Sequence, residues 1–266
     1  MGILNLTPDS FSDGGRFHVD GRLDIGRVEA AAIAMVAAGA TLLDLGGEST
    51  RPGAAPVPEQ EELDRVLPVL QRLRGIDAVL SVDTRKAVVA RQSLASGAQL
   101  VNDVTGFSEP DMRAAVANSN AALCIMHMRG EPRSMQVAPE YEDVTGEIRT
   151  FLADRVDACV AAGVGRDRIL VDPGFGFGKT IAHNLQLLRD LSQFTSLGCP
   201  ILVGVSRKRM IGDLTGRAAD ARMPGSIAAA LLAVQRGARV IRAHDVAATV
   251  DALKVLSAVE EEFDGA

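Results

Sequence analysis

Ile169-Leu170-Val171-Asp172-Pro173-Gly174-Phe175-Gly176-Phe177-Gly178-Lys179-Thr180 passes from an apolar, β-rich stretch into a carboxylate, a proline and three alternating glycines. A charge where a buried strand stops, followed by a loop able to approach a ligand closely, is how α/β enzymes build sites. Two familiar motifs fit less well. Gly-Lys-Thr hints at a phosphate-cradling loop, but that motif needs a glycine where Pro173 stands. The dinucleotide fingerprint needs Gly-x-Gly-x-x-Gly, and the spacing here is Gly-x-Gly-x-Gly. Recurrence separates a site from a merely structural turn, and the pattern recurs. Leu42-Leu43-Asp44-Leu45-Gly46-Gly47-Glu48, Val79-Leu80-Ser81-Val82-Asp83-Thr84 and Leu100-Val101-Asn102-Asp103-Val104 repeat it. So do Leu123-Cys124-Ile125-Met126-His127, Ile201-Leu202-Val203-Gly204-Val205-Ser206-Arg207-Lys208 and Val240-Ile241-Arg242-Ala243-His244-Asp245. Gly2-Ile3-Leu4-Asn5-Leu6-Thr7 completes a set of eight apolar runs, each with a polar group at or just past its end.

Helical stripes alternate with these runs. Val28, Ala31, Ala32, Met35 and Val36 fall at helical spacing before Gly39, and Leu152, Val156, Cys159 and Val160 do so before Gly163. Glu59, Glu61 and Glu62 open an acid-rich helix, and Arg85 to Ser96 forms a shorter one. Further helices are expected from about Asn184 to Phe194, from Pro224 and Ser226 to Gly237, and around Val246, Val250 and Leu253. Met128 to Tyr141 carries two prolines and reads as an exposed loop. Eight strands alternating with eight helices predict an α/β fold, a (β/α)8 TIM barrel, as a single domain over residues 1–266. Strands buried on both faces read as continuous Val/Ile/Leu runs, as these do. A doubly wound open sheet fits less well, because it would gather its site at one switch point, whereas every run here has a polar end.

Aromatic residues make up only 3% of the chain, Trp is absent and the net charge is −6, which argues against nucleic acid and anionic membranes as partners. Any anion site must therefore be a local cluster of cations. Cys124, Cys159 and Cys199 are odd in number, far apart and set in apolar surroundings. They read as reduced core residues of a cytoplasmic protein rather than a disulfide or zinc framework. No apolar run approaches membrane-spanning length and no signal peptide precedes the first run. That run starts almost at Met1, so further residues upstream are expected.

The strand ends of a barrel converge on one mouth. This one would hold Asn5, Asp83, Asn102, Asp172, Lys208, Arg242 and His244, with Arg51 on a flanking glycine-rich loop. Two carboxylates, an amide and a lysine can read the donor and acceptor edge of a flat, nitrogen-rich heterocycle. Arg51, Arg242 and His244 can hold an oxyanion such as phosphate. A metal carried partly by that anion needs few protein oxygens, and Asn5 can supply one. Ser206-Arg207-Lys208-Arg209, a dense basic cluster directly after a buried run, belongs with the mouth rather than with a solvated face. No Ser/His/Asp arrangement and no zinc spacing is apparent. The residues alone indicate a transferase or hydrolase acting on a phosphorylated heterocycle.

The matched strings also resemble a known family. Gly2 to Gly15, Gly46 to Gly53, Ser81 to Thr84, Asn102 to Val104, Met126 to Met128, Asp172 to Lys179, Ser206 to Lys208 and Arg242 to Asp245 resemble, in order, the signatures of bacterial dihydropteroate synthases. The resemblance implies condensation of 6-hydroxymethyl-7,8-dihydropterin pyrophosphate with p-aminobenzoate, with release of pyrophosphate. It implies that Asp172, Asn102 and Asp83 bind the pterin edge, that Lys208 reaches its carbonyl and N5, and that Met126 and Phe177 line the slot. It implies Mg2+ at Asn5, pyrophosphate at Arg51, Arg242 and His244, and aminobenzoate near Thr50, Ser206 and Phe11. Arg51, Lys208, Arg242 and His244 would be the catalytic groups. A homodimer is expected. The alternative is a pterin-binding module that passes a methyl group to a corrinoid partner. A catalytically silent barrel is a third reading, disfavoured by the complete pyrophosphate side.

Overall fold

Continuous burial of Leu, Val and Ile turns each apolar run into a strand, and the helices between them cover the outside. The structure, a computed structural model, describes residues 1–8, 15–51, 53–131, 135 and 138–260. Its barrel strands are β1 (Gly2–Asn5), β2 (Leu42–Gly46), β3 (Val79–Asp83) and β4 (Leu100–Asp103), then β5 (Ala122–Met126), β6 (Ile169–Asp172), β7 (Ile201–Val203) and β8 (Ala238–Ile241). They form one eight-stranded sheet in chain order, and every neighbouring pair is parallel. Closure comes from a parallel bridge between Gly2 and Ala243, just beyond β8, with Ala243 N donating to Met1 O at 2.9 Å. This is the (β/α)8 barrel that the runs predict.

Period-two alternation divides each strand between two cores. On β2, Leu43 and Leu45 pack outward against the helices, in one large cluster with residues such as Val28, Val66 and Leu70. Leu42 instead joins Leu100, Cys124, Leu202, Val79, Ala122, Leu170 and Val240. A cluster fed by strands all around the sheet lies inside the barrel, and it floors the site. Cys124, Cys159 and Cys199 are free and buried, as expected.

The described residues form nine α-helices rather than the eight expected: α1 (Ile25–Ala37), α2 (Glu59–Arg72), α3 (Ala87–Ala95), α4 (Pro110–Ala117), α5 (Val144–Ala161), α6 (Ile181–Arg189), α7 (Arg209–Thr215), α8 (Met223–Gln235) and α9 (Val246–Glu260). Two turns or so of α4 and of α7 are too short to show a stripe. The helix expected over 184–194 is α6 followed by a 3-10 turn at Leu191–Leu197, and Thr180 with His183 supplies a capping box at its start. The segment from Met128 to Tyr141 is not simply exposed. Met135 is buried, and Tyr141 Oη donates to Gly178 O at 2.9 Å.

Candidate active site

Asp44 occupies the middle of β2 on the inward face and is fully buried. Ser81 Oγ donates to its Oδ1 (2.5 Å), while Asn102 Nδ2 (3.3 Å) and Arg242 Nε (2.6 Å) donate to its Oδ2. Arg242 also reaches Asp83 Oδ2 through Nη2, at the longer distance of 3.2 Å. Burial by itself would lower the guanidinium pKa, but the charges of Asp44 and Asp83 outweigh it and the value is raised. Asp83 fares worse: burial and then the charge of Asp44 push its carboxyl up to about 8, against the pull of Arg242. Asn102 Oδ1 is buried and has no hydrogen-bond partner among the described residues. A buried acceptor left over in this way suits a ligand donor.

Asp172 ends β6, and its Oδ1 accepts from Gly174 N at 2.7 Å. That turn needs glycine: Gly174 has φ 72°, and an added Cβ would collide with the His127 carbonyl oxygen. Gly176, at φ 79°, lets the Lys208 stem cross its backbone, where a Cβ would lie 3.1 Å from Lys208 Cδ. Lys208 Nζ donates to Phe175 O and sits 4.4 Å from the Phe177 ring centroid. Burial lowers its ammonium to about 8, although Asp172 opposes the change. Burial likewise raises the Asp172 carboxyl, with Lys208 the first opposing charge. Met126 ends β5 opposite Asp172 in register and is buried. Asp83, Asn102, Met126, Asp172, Phe177, Lys208 and Arg242 therefore gather at one mouth.

Asn5, half-buried, ends β1 opposite Gly46, and a Cβ on Gly46 would lie 3.9 Å from both Asn5 Oδ1 and Asp83. His244 N donates to Ser206 Oγ at 3.1 Å, and His244 Nδ1 lies 3.1 Å from the same oxygen. Thr50 and Arg51 are half-buried on the loop from β2 to α2. Phe11 lies outside the described residues, as do the rest of 9–14 and Pro52. Among the described residues no three His, Cys, Asp or Glu side chains group to hold a metal. That donor set fits an ion that keeps its waters and rides on a bound anion, with Asn5 adding one oxygen.

Of the three cations in the basic cluster only Lys208 belongs to the mouth. Arg207 is bonded to Asp245 at 2.5 and 3.0 Å, and Arg209 is exposed beside Asp213. Lys179, by contrast, is buried, with Nζ 3.0 Å from His127 Nδ1 and 2.9 Å from Phe177 O, and so fastens the glycine loop to the end of β5. Burial and then the Lys179 charge depress the His127 pKa to about 2. Asp44 and Ser81 are the residues that sequence reasoning missed. Their signal is a polar residue at an inward position of an otherwise apolar strand. A hollow of about 620 Å³ beside Thr41, Val79 and Gln99 lies at the strand starts and holds none of these groups.

Against known proteins, residues 1–244 match the family described as pterin binding enzyme. A dihydropteroate synthase of Haemophilus influenzae is 47% identical over 259 residues, covering 97% of this chain and 92% of its own. The Yersinia pestis dihydropteroate synthase solved with a sulfonamide drug superposes with a TM-score of 0.92 at 47% identity, over 97% of this chain and 92% of that one. The Xanthomonas albilineans dihydropteroate synthase solved with 4-aminobenzoic acid gives 0.90 at 49% identity, over 98% and 92%. Matches along nearly the whole length favour the synthase reading over corrinoid methyl transfer. A family match over residues 1–244, with relatives 47% identical along nearly the whole chain on the same barrel, places the chain in the pterin-binding enzyme family, among its dihydropteroate synthases.

Proposed function

We propose that this mouth joins 6-hydroxymethyl-7,8-dihydropterin pyrophosphate to p-aminobenzoate, giving 7,8-dihydropteroate and pyrophosphate. The observation that carries the reading is the edge made by buried Asn102 and Asp172 with half-buried Asp83 and Lys208, beside Arg242. Asp172 keeps Oδ2 for the amino and ring N–H donors of the pterin, since Gly174 occupies Oδ1. Asn102 Oδ1 accepts a further donor, and Lys208 donates to the ring carbonyl and N5. Met126 and Phe177 flank the ring. Arg242 has N–H groups beyond the two that Asp44 and Asp83 use, and these, with Arg51 and His244, hold the pyrophosphate. Mg2+ at Asn5, when bound, supplies charge neutralisation to the leaving group. Thr50 and Ser206 shape the aminobenzoate pocket. Its arylamine is neutral at neutral pH, so no strong base is needed, and the electron-rich dihydropterin can stabilise a cation on its methylene carbon.

The direct test is pyrophosphate release that requires both substrates; release with the pterin substrate alone would indicate a hydrolase. Arg51→Ala is expected to leave the affinity for a pterin lacking pyrophosphate nearly intact, and to lower kcat about 100-fold or more. Equal loss of both would make Arg51 a structural residue. A sulfonamide that mimics the arylamine is expected to compete with aminobenzoate. The same proposal includes a cytoplasmic location, supported by the free buried cysteines, and a homodimer. Val255 and Val259 on α9 and Leu232 on α8 are exposed and apolar, and the two helices are adjacent. Val255→Asp with Val259→Asp is expected to halve the mass seen by sedimentation equilibrium; an unchanged mass places the interface elsewhere.

A further inference from the structure

The loop that carries Arg51 leaves the barrel at Glu48 and enters α2 through Val57 and Pro58. Its two ends are tied to each other and to the turn between β3 and α3. Val57 N donates to Glu48 Oε2 at 3.2 Å. Lys86 Nζ donates to Val57 O (2.7 Å), to Glu62 Oε2 (2.5 Å) and to Glu48 Oε2. Arg85 grips Glu48 Oε1 through Nε at 3.0 Å and Nη2 at 2.9 Å. Arg65 Nη1 donates to Gly47 O at 2.7 Å, and Gly47 packs so closely on α2 that a Cβ would lie 2.8 Å from Val66 and 2.9 Å from Glu62.

These contacts differ from a solvated ion-pair lattice, which would be worth little. The Glu48 and Glu62 side chains are only 6% and 1% exposed, and Lys86 is 16% exposed. Burial would raise the Glu48 carboxyl, yet the hydrogen bond and charge of Lys86 outweigh it and hold the value below the usual range. Two buried carboxylates thus share one ammonium: Glu48 has Arg85 as a second cation, and removing Lys86 would strip Glu62 of the cation that bonds it. Lys86 also follows Asp83 closely in sequence. Its N–H donates to Thr84 Oγ1 at 3.2 Å, and Thr84 N donates to Asn102 O at 3.0 Å. One lysine therefore fastens the Arg51 loop to the strand ends that carry Asp83 and Asn102.

We infer that Lys86 is a positioning residue for the transfer step: it fixes Glu48 and Val57, which flank the stretch that carries Arg51, just past the end of β3, and takes no part in holding the pterin ring. The inference rests on the reaction proposed above. Preorganisation of this kind acts on rate more than on ground-state binding, because a small misplacement of a charge-stabilising group is costly in the transition state.

Lys86→Met and Lys86→Arg test it, each in the full chain. Pyrophosphate release by the unaltered protein, dependent on both substrates, comes first; failure there removes the reaction and overturns the positioning role with it, while thermal unfolding of Lys86→Met tells the two failures apart, since a lowered midpoint shows that the buried cluster still depends on the lysine. With the reaction established, Lys86→Met is expected to lower kcat/KM for aminobenzoate about 10- to 100-fold. Its affinity for 6-hydroxymethyl-7,8-dihydropterin without pyrophosphate should stay within about twofold by calorimetry. Lys86→Arg keeps a cation and should recover most of the loss. Unchanged kcat/KM, or loss of pterin affinity in equal measure, overturns the inference. If Lys86→Met does not fold, Arg85→Met removes only the outer grip on Glu48 and should show the same pattern at about 3- to 10-fold; a loss shared by pterin affinity, or no loss, overturns it equally.

Discussion

Asp172→Asn is expected to weaken binding of the pterin pyrophosphate by roughly 2–4 kcal/mol, or about 30- to 800-fold. The carboxylate is buried, and its first oxygen is committed to Gly174 N at 2.7 Å. An amide that keeps that bond must turn its NH2 toward the donors of the pterin, so that donor meets donor where an acceptor is needed. The second loss falls on Lys208. Its ammonium is already lowered to about 8 by burial, and Asp172 is the first charge opposing that fall. Without it the lysine deprotonates at lower pH, so the alkaline limit of pterin binding should move toward neutrality. Calorimetric titration at two pH values measures both effects. Unchanged affinity would remove Asp172 from the pterin edge, and an unmoved alkaline limit would uncouple it from Lys208.

What the sequence revealed follows from where a physical constraint is local. A strand buried on both faces tolerates polar residues at its end, so Asn5, Asp83, Asp172 and the groups after β7 and β8 stood out one by one. Asp44 did not, because it sits inside its strand and its main partner, Arg242, is 198 residues away. Its inward parity with Leu42 and Gly46 was visible, but the sequence carries no mark of which cation compensates it. Glu62 reads as an acid in the first turn of a helix, where the dipole alone would explain it. Its burial beside Lys86 is a tertiary fact. In the basic cluster the charge was legible and the direction was not. Arg207 takes a left-handed φ of 56° and turns to Asp245, which leaves Lys208 alone at the site. The short helices α4 and α7 had too few apolar positions to set a period.

Arg242→Met should cost the fold about 3–5 kcal/mol at alkaline pH, because it strands two buried carboxylates that share one guanidinium. The cost should shrink as the pH falls. In the unaltered protein the Asp83 carboxyl is already raised to about 8 by burial and by Asp44, and Arg242 is the charge that holds it down. A carboxyl raised on folding stabilises the native state below its unfolded value and loses that contribution as pH rises through the folded value. Removing the arginine lifts the folded value further, so the variant takes up a proton on folding across a wider range and recovers stability toward acid. The groups facing Asp83 are Asp44 and Arg242 first, then Glu62 and Asp103, with Lys208 also sensing it. Asp44 keeps the hydrogen bonds from Ser81 and Asn102. Urea unfolding at about pH 8.5 and about pH 5.5 should therefore show a clearly smaller deficit at the lower pH. Arg242→Lys keeps a charge but lacks the planar fork that reaches Asp44 and Asp83 together, so it should restore part of the stability and little of the turnover. An equal deficit at both pH values would mean that Arg242 contributes through packing alone, and the shared-carboxylate account of the site floor would have to be given up.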